Sequence, residues 1–106
     1  MLAQVLHEPA PIARRPLRLE TRADPEPGPA EVRVRLAACA CCRTDLHVVE
    51  GELPEARLPL VPGHQIVGTV AKAGPGVEGI SVGARVGVPW LGGTDGTCIY
   101  CRAGSR

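Results

Sequence analysis

Thiols, a hydroxyl, a carboxylate and an imidazole crowd into Cys39-Ala40-Cys41-Cys42-Arg43-Thr44-Asp45-Leu46-His47, and Gly63-His64-Gln65 adds a second imidazole downstream. Cys39 falls at the exit of one expected strand and His64 at the entry of another, so the fold could hold both as ligands on rigid sheet edges. A thiolate with an imidazole suits Zn²⁺, which takes sulfur and nitrogen in a tetrahedral shell. Gly63 would let the backbone approach the metal. The plainer reading of the same two residues is a buried free cysteine and a hydrogen-bonded core histidine. Thr44, Asp45 and His47 favour the metal, because a hydroxyl beside a bound alcohol can accept its proton and a nearby imidazole can pass it to water. Taken singly, they are also a helix cap, a first-turn carboxylate and an exposed histidine. Cys98 and Cys101 form a C-x-x-C pair in a glycine-rich loop, half of a structural zinc knuckle, with Asp95 the nearby third donor. A redox pair is the alternative, but no βαβ pattern surrounds it. Cys41 and Cys42 read as small packing residues rather than ligands.

These groups need elements to position them. Leu2 to Leu6 and the alternating Leu17-Arg18-Leu19-Glu20-Thr21 are two expected strands. The proline-rich Asp24-Pro25-Glu26-Pro27-Gly28-Pro29 is a loop. Glu31 to Leu36 is the clearest strand, with Val32, Val34 and Leu36 towards a core and Glu31, Arg33 and Arg35 towards water. A short helix is expected from Thr44 to Glu50, capped by Thr44 or Asp45, with Leu46 and Val49 on one face and Gly51 as its stop. Ile66 to Ala71 is a further strand ended by Gly74-Pro75-Gly76. Val82 to Val88 reads as turn then strand, and the chain from Pro89 onward, including Gly92, as irregular.

Composition limits the alternatives. The 106 residues suffice for one domain with one core. The chain is 44% hydrophobic but only 2% aromatic, without Phe, so Val, Leu, Ile and Ala must fill that core, and the valines favour strands. With 13 Gly and 11 Pro the elements must be short, as in an all-β barrel or sandwich. Twelve basic and eleven acidic residues give a net charge of +1 with no basic block, which leaves nucleic-acid binding without support. The N-terminus lacks the pattern of a secretory signal, and no apolar run would cross a membrane. The expectation is a cytoplasmic protein, in which five cysteines point to metal or catalysis rather than to disulfides.

From Val32 to Gly104 the sequence resembles the N-terminal catalytic domain of zinc-dependent medium-chain alcohol dehydrogenases, the GroES-like fold. The resemblance rests on the Cys39 to His47 stretch, Val61-Pro62-Gly63-His64-Gln65, Gly74-Pro75-Gly76-Val77, Val82-Gly83-Ala84-Arg85-Val86-Gly87-Val88-Pro89-Trp90, and Cys98-Ile99-Tyr100-Cys101-Arg102-Ala103-Gly104. It implies a mainly β, partly open barrel with one short helix over residues 1–106, and an irregular, incomplete structural-zinc lobe at 89–106. It assigns Cys39 and His64 to the catalytic zinc and Asp45 to the carboxylate behind that site. Thr44 would bind the substrate alcohol, and His47 would end the proton relay beside the cofactor. Cys98 and Cys101 would hold the structural zinc, with Asp95 where the family has a cysteine. The implied reaction is reversible oxidation of a small alcohol to an aldehyde or ketone, with hydride passing to NAD(P).

The sequence also departs from the family pattern. Gln65 stands where Glu is usual, Ala40 where Gly is common, and Ala84 where the Gly-Asp-Arg-Val turn has Asp. The resemblance fails at Ser105-Arg106. The third catalytic-zinc ligand and the fourth structural ligand would lie beyond Arg106, and no G-x-G-x-x-G fingerprint or Rossmann unit is present. A truncated catalytic domain is therefore expected, inactive alone, without NAD(P) binding, and prone to self-association through an exposed domain interface. The competing reading is a non-catalytic zinc-binding or interaction module that keeps the fold. A co-chaperonin would share the barrel but leave the Cys39 to His47 cluster without a purpose. Which alcohol is used, and whether the cofactor is NAD or NADP, is not written in these residues.

Overall fold

The computed structural model of the protein describes residues 1–91 and 93–104; Gly92 and the Ser105-Arg106 pair, on which two of the sequence readings fall, lie outside the described residues. The chain is mainly β. Strands β1 (Leu2–Leu6) and β2 (Leu17–Thr21) pair antiparallel around a connection that contains one turn of 3₁₀ helix, Ile12–Arg14. Strands β3 (Val32–Cys39), β4 (Ile66–Ala73) and β5 (Arg85–Val88) form an antiparallel sheet in the order β3-β4-β5. Helix α1 (Arg43–Val49) follows β3, and helix α2 (Ile99–Ala103) lies near the C-terminus. Among the described residues the two sheets do not close into a barrel.

The core is aliphatic, as a chain without Phe requires: Val5, Leu6, Val49, Val70 and Ala3 are its buried apolar residues. Leu6 and Leu60 exchange both backbone hydrogen bonds, at 2.8 and 3.0 Å, which ties β1 to the segment leading into His64. On the other side of α1, the amide of Ala10 donates to the Val49 carbonyl at 3.2 Å. The helix is thus anchored to the first hairpin through its buried C-terminal end.

Four local expectations are corrected. Leu36 does not join the core; it is 58% exposed, because register shifts between Arg33 and Val34 and between Leu36 and Ala38 bulge the strand and re-aim its side chains. Arg33, expected in water, is half-buried and ion-paired with Glu26. The cap of α1 is Cys42 in extended conformation rather than Thr44 or Asp45, and Asp45 reaches back from the first turn to the Cys42 amide. The stretch after Pro89 is also not irregular throughout, since Cys98 caps α2 and Gly104 ends it in the left-handed conformation.

Candidate metal centre

The β3–β4 register builds the site. Ala38 faces Val67 and Cys39 faces Ile66, and the ladder continues as the Ala40 amide donates to the Gln65 carbonyl at 2.9 Å. This brings the chain entering α1 alongside Gly63 and His64. Cys42, at the helix cap, has left the ladder, and its Sγ lies 3.0 Å from His64 Nε2. The Asp45 carboxylate closes the triangle: one oxygen is 3.1 Å from His64 Nδ1 and the other accepts from the Cys42 amide at 2.9 Å. Sulfur, imidazole nitrogen and carboxylate oxygen lie within 4.8 Å of one another. The side chains of His64 and Asp45 are only 14% and 17% exposed, so this is a sheltered cluster.

Cys39 is placed differently. It remains in the β3 ladder, exposed, and is not in the donor cluster formed by Cys42, Asp45 and His64. Its sulfur sits against the backbone of Gly63, where a Cβ would stand 2.8 Å from Sγ. Gly63 has φ 136, so a side chain there would meet both backbone strain and the thiol. The sequence reading paired Cys39 with His64; the structure groups Cys42, three residues on, with His64 and Asp45. The available signal was spacing: a cysteine three residues before Asp45 occupies the cap position of a capping box, where thiol and carboxylate converge.

Thr44 and His47 stand one turn apart on α1, outside the donor cluster. The His47 ring pairs with the Glu52 carboxylate beyond the helix end, and its side chain is 42% exposed. Trp90, whose role the sequence did not indicate, meets His64 edge-on, with ring centroids 4.8 Å apart at 83°. Together with Leu53, Leu60, Asp45 and His64 it lines a cleft of about 300 Å³.

The C-terminal segment gathers a second set of donors. Asp95, Cys98 and Cys101 also place their ligand atoms within 4.8 Å of one another. The Cys98 and Thr97 amides donate to Asp95 Oδ1 at 3.0 and 2.8 Å, which holds its carboxyl down to about 2. The Cys101 amide donates to Cys98 Sγ at 3.4 Å and draws that thiol below its ordinary range. The chemistry of each donor set fits a zinc ion: thiolate and imidazole in the first, two thiolates and a carboxylate in the second. All five cysteines are unpaired. No helix among the described residues is long and apolar enough to cross a membrane.

The alcohol dehydrogenase GroES-like domain family matches residues 28–106. The chain is 44% identical over 111 aligned positions to a Mycobacterium tuberculosis protein called "Probable alcohol dehydrogenase AdhA", covering 100% of this chain and 32% of that one. A solved NAD-dependent alcohol dehydrogenase superimposes with a TM-score of 0.81 at 37% identity, over 98% of this chain and 30% of that one. A zinc-dependent alcohol dehydrogenase from Streptococcus pneumonia superimposes at 0.83 with 26% identity, over 98% and 28%. The chain spans about a third of the length of the curated relatives it matches.

Proposed function

The chain belongs to the alcohol dehydrogenase GroES-like domain family, and from that membership we propose that it supplies the alcohol-binding, metal-holding part of a zinc-dependent, NAD(P)-linked alcohol dehydrogenase. The single observation that carries this reading is the Cys42–His64–Asp45 cluster. Cys42 and His64 would hold the catalytic zinc, with Cys42 in the role the sequence gave to Cys39. When bound, zinc supplies Lewis acidity towards the alcohol oxygen. A nicotinamide cofactor would supply the hydride acceptor.

This chain's own residues orient and move protons. Asp45 accepts a hydrogen bond from the Nδ1–H of His64, which fixes the tautomer with Nε2 free to act as a ligand. The Thr44 hydroxyl receives the proton of the alcohol, and His47, open to solvent and held by Glu52, passes it to water. The apolar wall of Leu53 and Trp90 takes the carbon chain of a small alcohol or aldehyde. Asp95, Cys98 and Cys101 would hold a structural zinc. Unpaired thiols of this kind belong in a reducing compartment, and we place the protein in the cytoplasm.

Cobalt substitution tests the ligand assignment. In a Cys98→Ser/Cys101→Ser background, which leaves the first donor set alone, the chain should bind Co²⁺ with a thiolate-to-metal charge-transfer band. Cys42→Ser should abolish the band, and Cys39→Ser should leave it. Loss of the band with Cys39→Ser and its survival with Cys42→Ser would overturn the assignment.

A further inference from the structure

The connection between β1 and β2 carries charges that the metal centre does not use. Arg14, Arg15 and Arg18 stand in no basic block of the sequence, yet the fold brings them with His7 and Glu8 to the wall of one cleft of about 610 Å³. Among the described residues none of the three guanidiniums is ion-paired, although Arg33 and Lys72 both find Glu26. His7 is held by Glu20.

The backbone presets this wall. The amides of Arg14 and Arg15 donate to the Pro11 and Ile12 carbonyls, each at 2.9 Å. Ile12 donates to the Glu50 carboxylate at 3.0 Å, which pins the turn to the end of α1. Arg15 takes the left-handed conformation, with φ 50 and ψ 60, directly before Pro16. A backbone held in advance leaves only side-chain freedom to lose when the arginines capture a ligand.

The lining contributes three guanidiniums against the Glu8 carboxylate, with the Glu20 carboxylate held on His7, so the wall is net positive and favours an anionic group. Planar guanidinium forks match phosphate oxygens in pairs. The volume lies in the range of small-ligand sites, roughly 300–1,000 Å³. The wall holds no Phe, Tyr or Trp on which nucleic-acid bases could stack. We propose that this cleft is a binding site for the phosphate group of a ligand, separate from the Cys42–His64 centre.

The test is titration of inorganic phosphate into the isotope-labelled 106-residue chain, followed by amide NMR at constant ionic strength balanced with chloride. Saturable shifts confined to the stretch from His7 to Arg18 are expected, and Arg14→Gln/Arg18→Gln should weaken binding by about tenfold or more. Amide spectra of the variant confirm that it is folded, and Arg22→Gln, outside the cleft, should bind as the parent does. Shifts that do not saturate, that chloride reproduces, that appear at Asp45 and His64 instead, or that survive the double substitution would overturn the proposal. Vesicles of phosphatidic acid, against phosphatidylcholine, separate the two sources of the group. Arginine-dependent sedimentation with phosphatidic acid assigns the site to a lipid headgroup; saturation by free phosphate without sedimentation assigns it to a soluble ligand.

Discussion

Asp45 links three things at once: it receives the Cys42 amide, it abuts His64 Nδ1, and it sits in the first turn of α1, where a carboxylate suits the helix dipole. Replacing it with asparagine keeps the size and removes the charge, and an amide can also turn a donor towards the imidazole. Asp45→Asn should therefore weaken metal binding at Cys42 and His64 by about 10–100-fold, measured by competition with a chromophoric chelator. An unchanged affinity would mean that Asp45 acts only as a helix cap. At this scale the sequence displayed every residue of the cluster but not their grouping. Cys39, Cys41 and Cys42 are chemically alike in a linear reading. Only the end of the ladder at Ala40 and the start of α1 decide that Cys42 turns to His64 while Cys39 stays against Gly63.

The elements owe their placement to close backbone approaches that substitution would block. A Cβ at Gly68, in β4, would lie 2.2 Å from the Arg35 carbonyl oxygen in β3, a clash with backbone that no side-chain rotation relieves. Gly68→Ala should part the two strands near the β3 bulge and cost about 1–3 kcal/mol of stability. Urea unfolding should report this, with looser metal binding following, because β3 delivers Cys42; parent-like unfolding would show that the strands yield freely. A second tie is electrostatic. Glu26, in the proline-rich loop, meets Lys72 on β4 and Arg33 on β3, and Lys72 above all draws its carboxyl below the usual 4.5. A depressed folded-state value stabilises the fold above the unfolded-state value near 4.5 and loses that contribution as pH falls through the lowered one. Lys72→Ala should move the Glu26 titration, followed by carboxyl NMR, back towards 4.5; a titration that stays put would assign the shift elsewhere. Strand positions were legible because valine alternation and Gly-Pro stops mark them. Helix α2 was not, since its cap is a cysteine and its five residues show no apolar period.

For the whole molecule, shape and burial lead to the same expectation. A compact chain of this size has a radius of gyration of about 13 Å, whereas this one measures 15.5 Å and extends 43 × 34 × 20 Å. Among the described residues few apolar side chains are buried, while Leu19 and Val82 are 63% exposed, Leu36 58%, Trp90 60% and Ile99 72%. The GroES-like architecture was legible from motif order, but the shortage of core was not, because apolar composition says how much could be buried and not what it is buried against. Exposed apolar surface on this scale favours association by the same burial that drives folding. The purified chain should self-associate, giving a weight-average mass that rises with concentration in sedimentation equilibrium, and it should bind a hydrophobic dye. Leu36→Ser, which removes one exposed apolar side chain without opening the core, should lower both. It should leave the Co²⁺ spectrum of the Cys42–His64 centre unchanged, because Leu36 lies outside that cluster. A monomer at every concentration, with no dye response, would mean that the flat, extended chain satisfies its own apolar surface in a way these exposures do not describe.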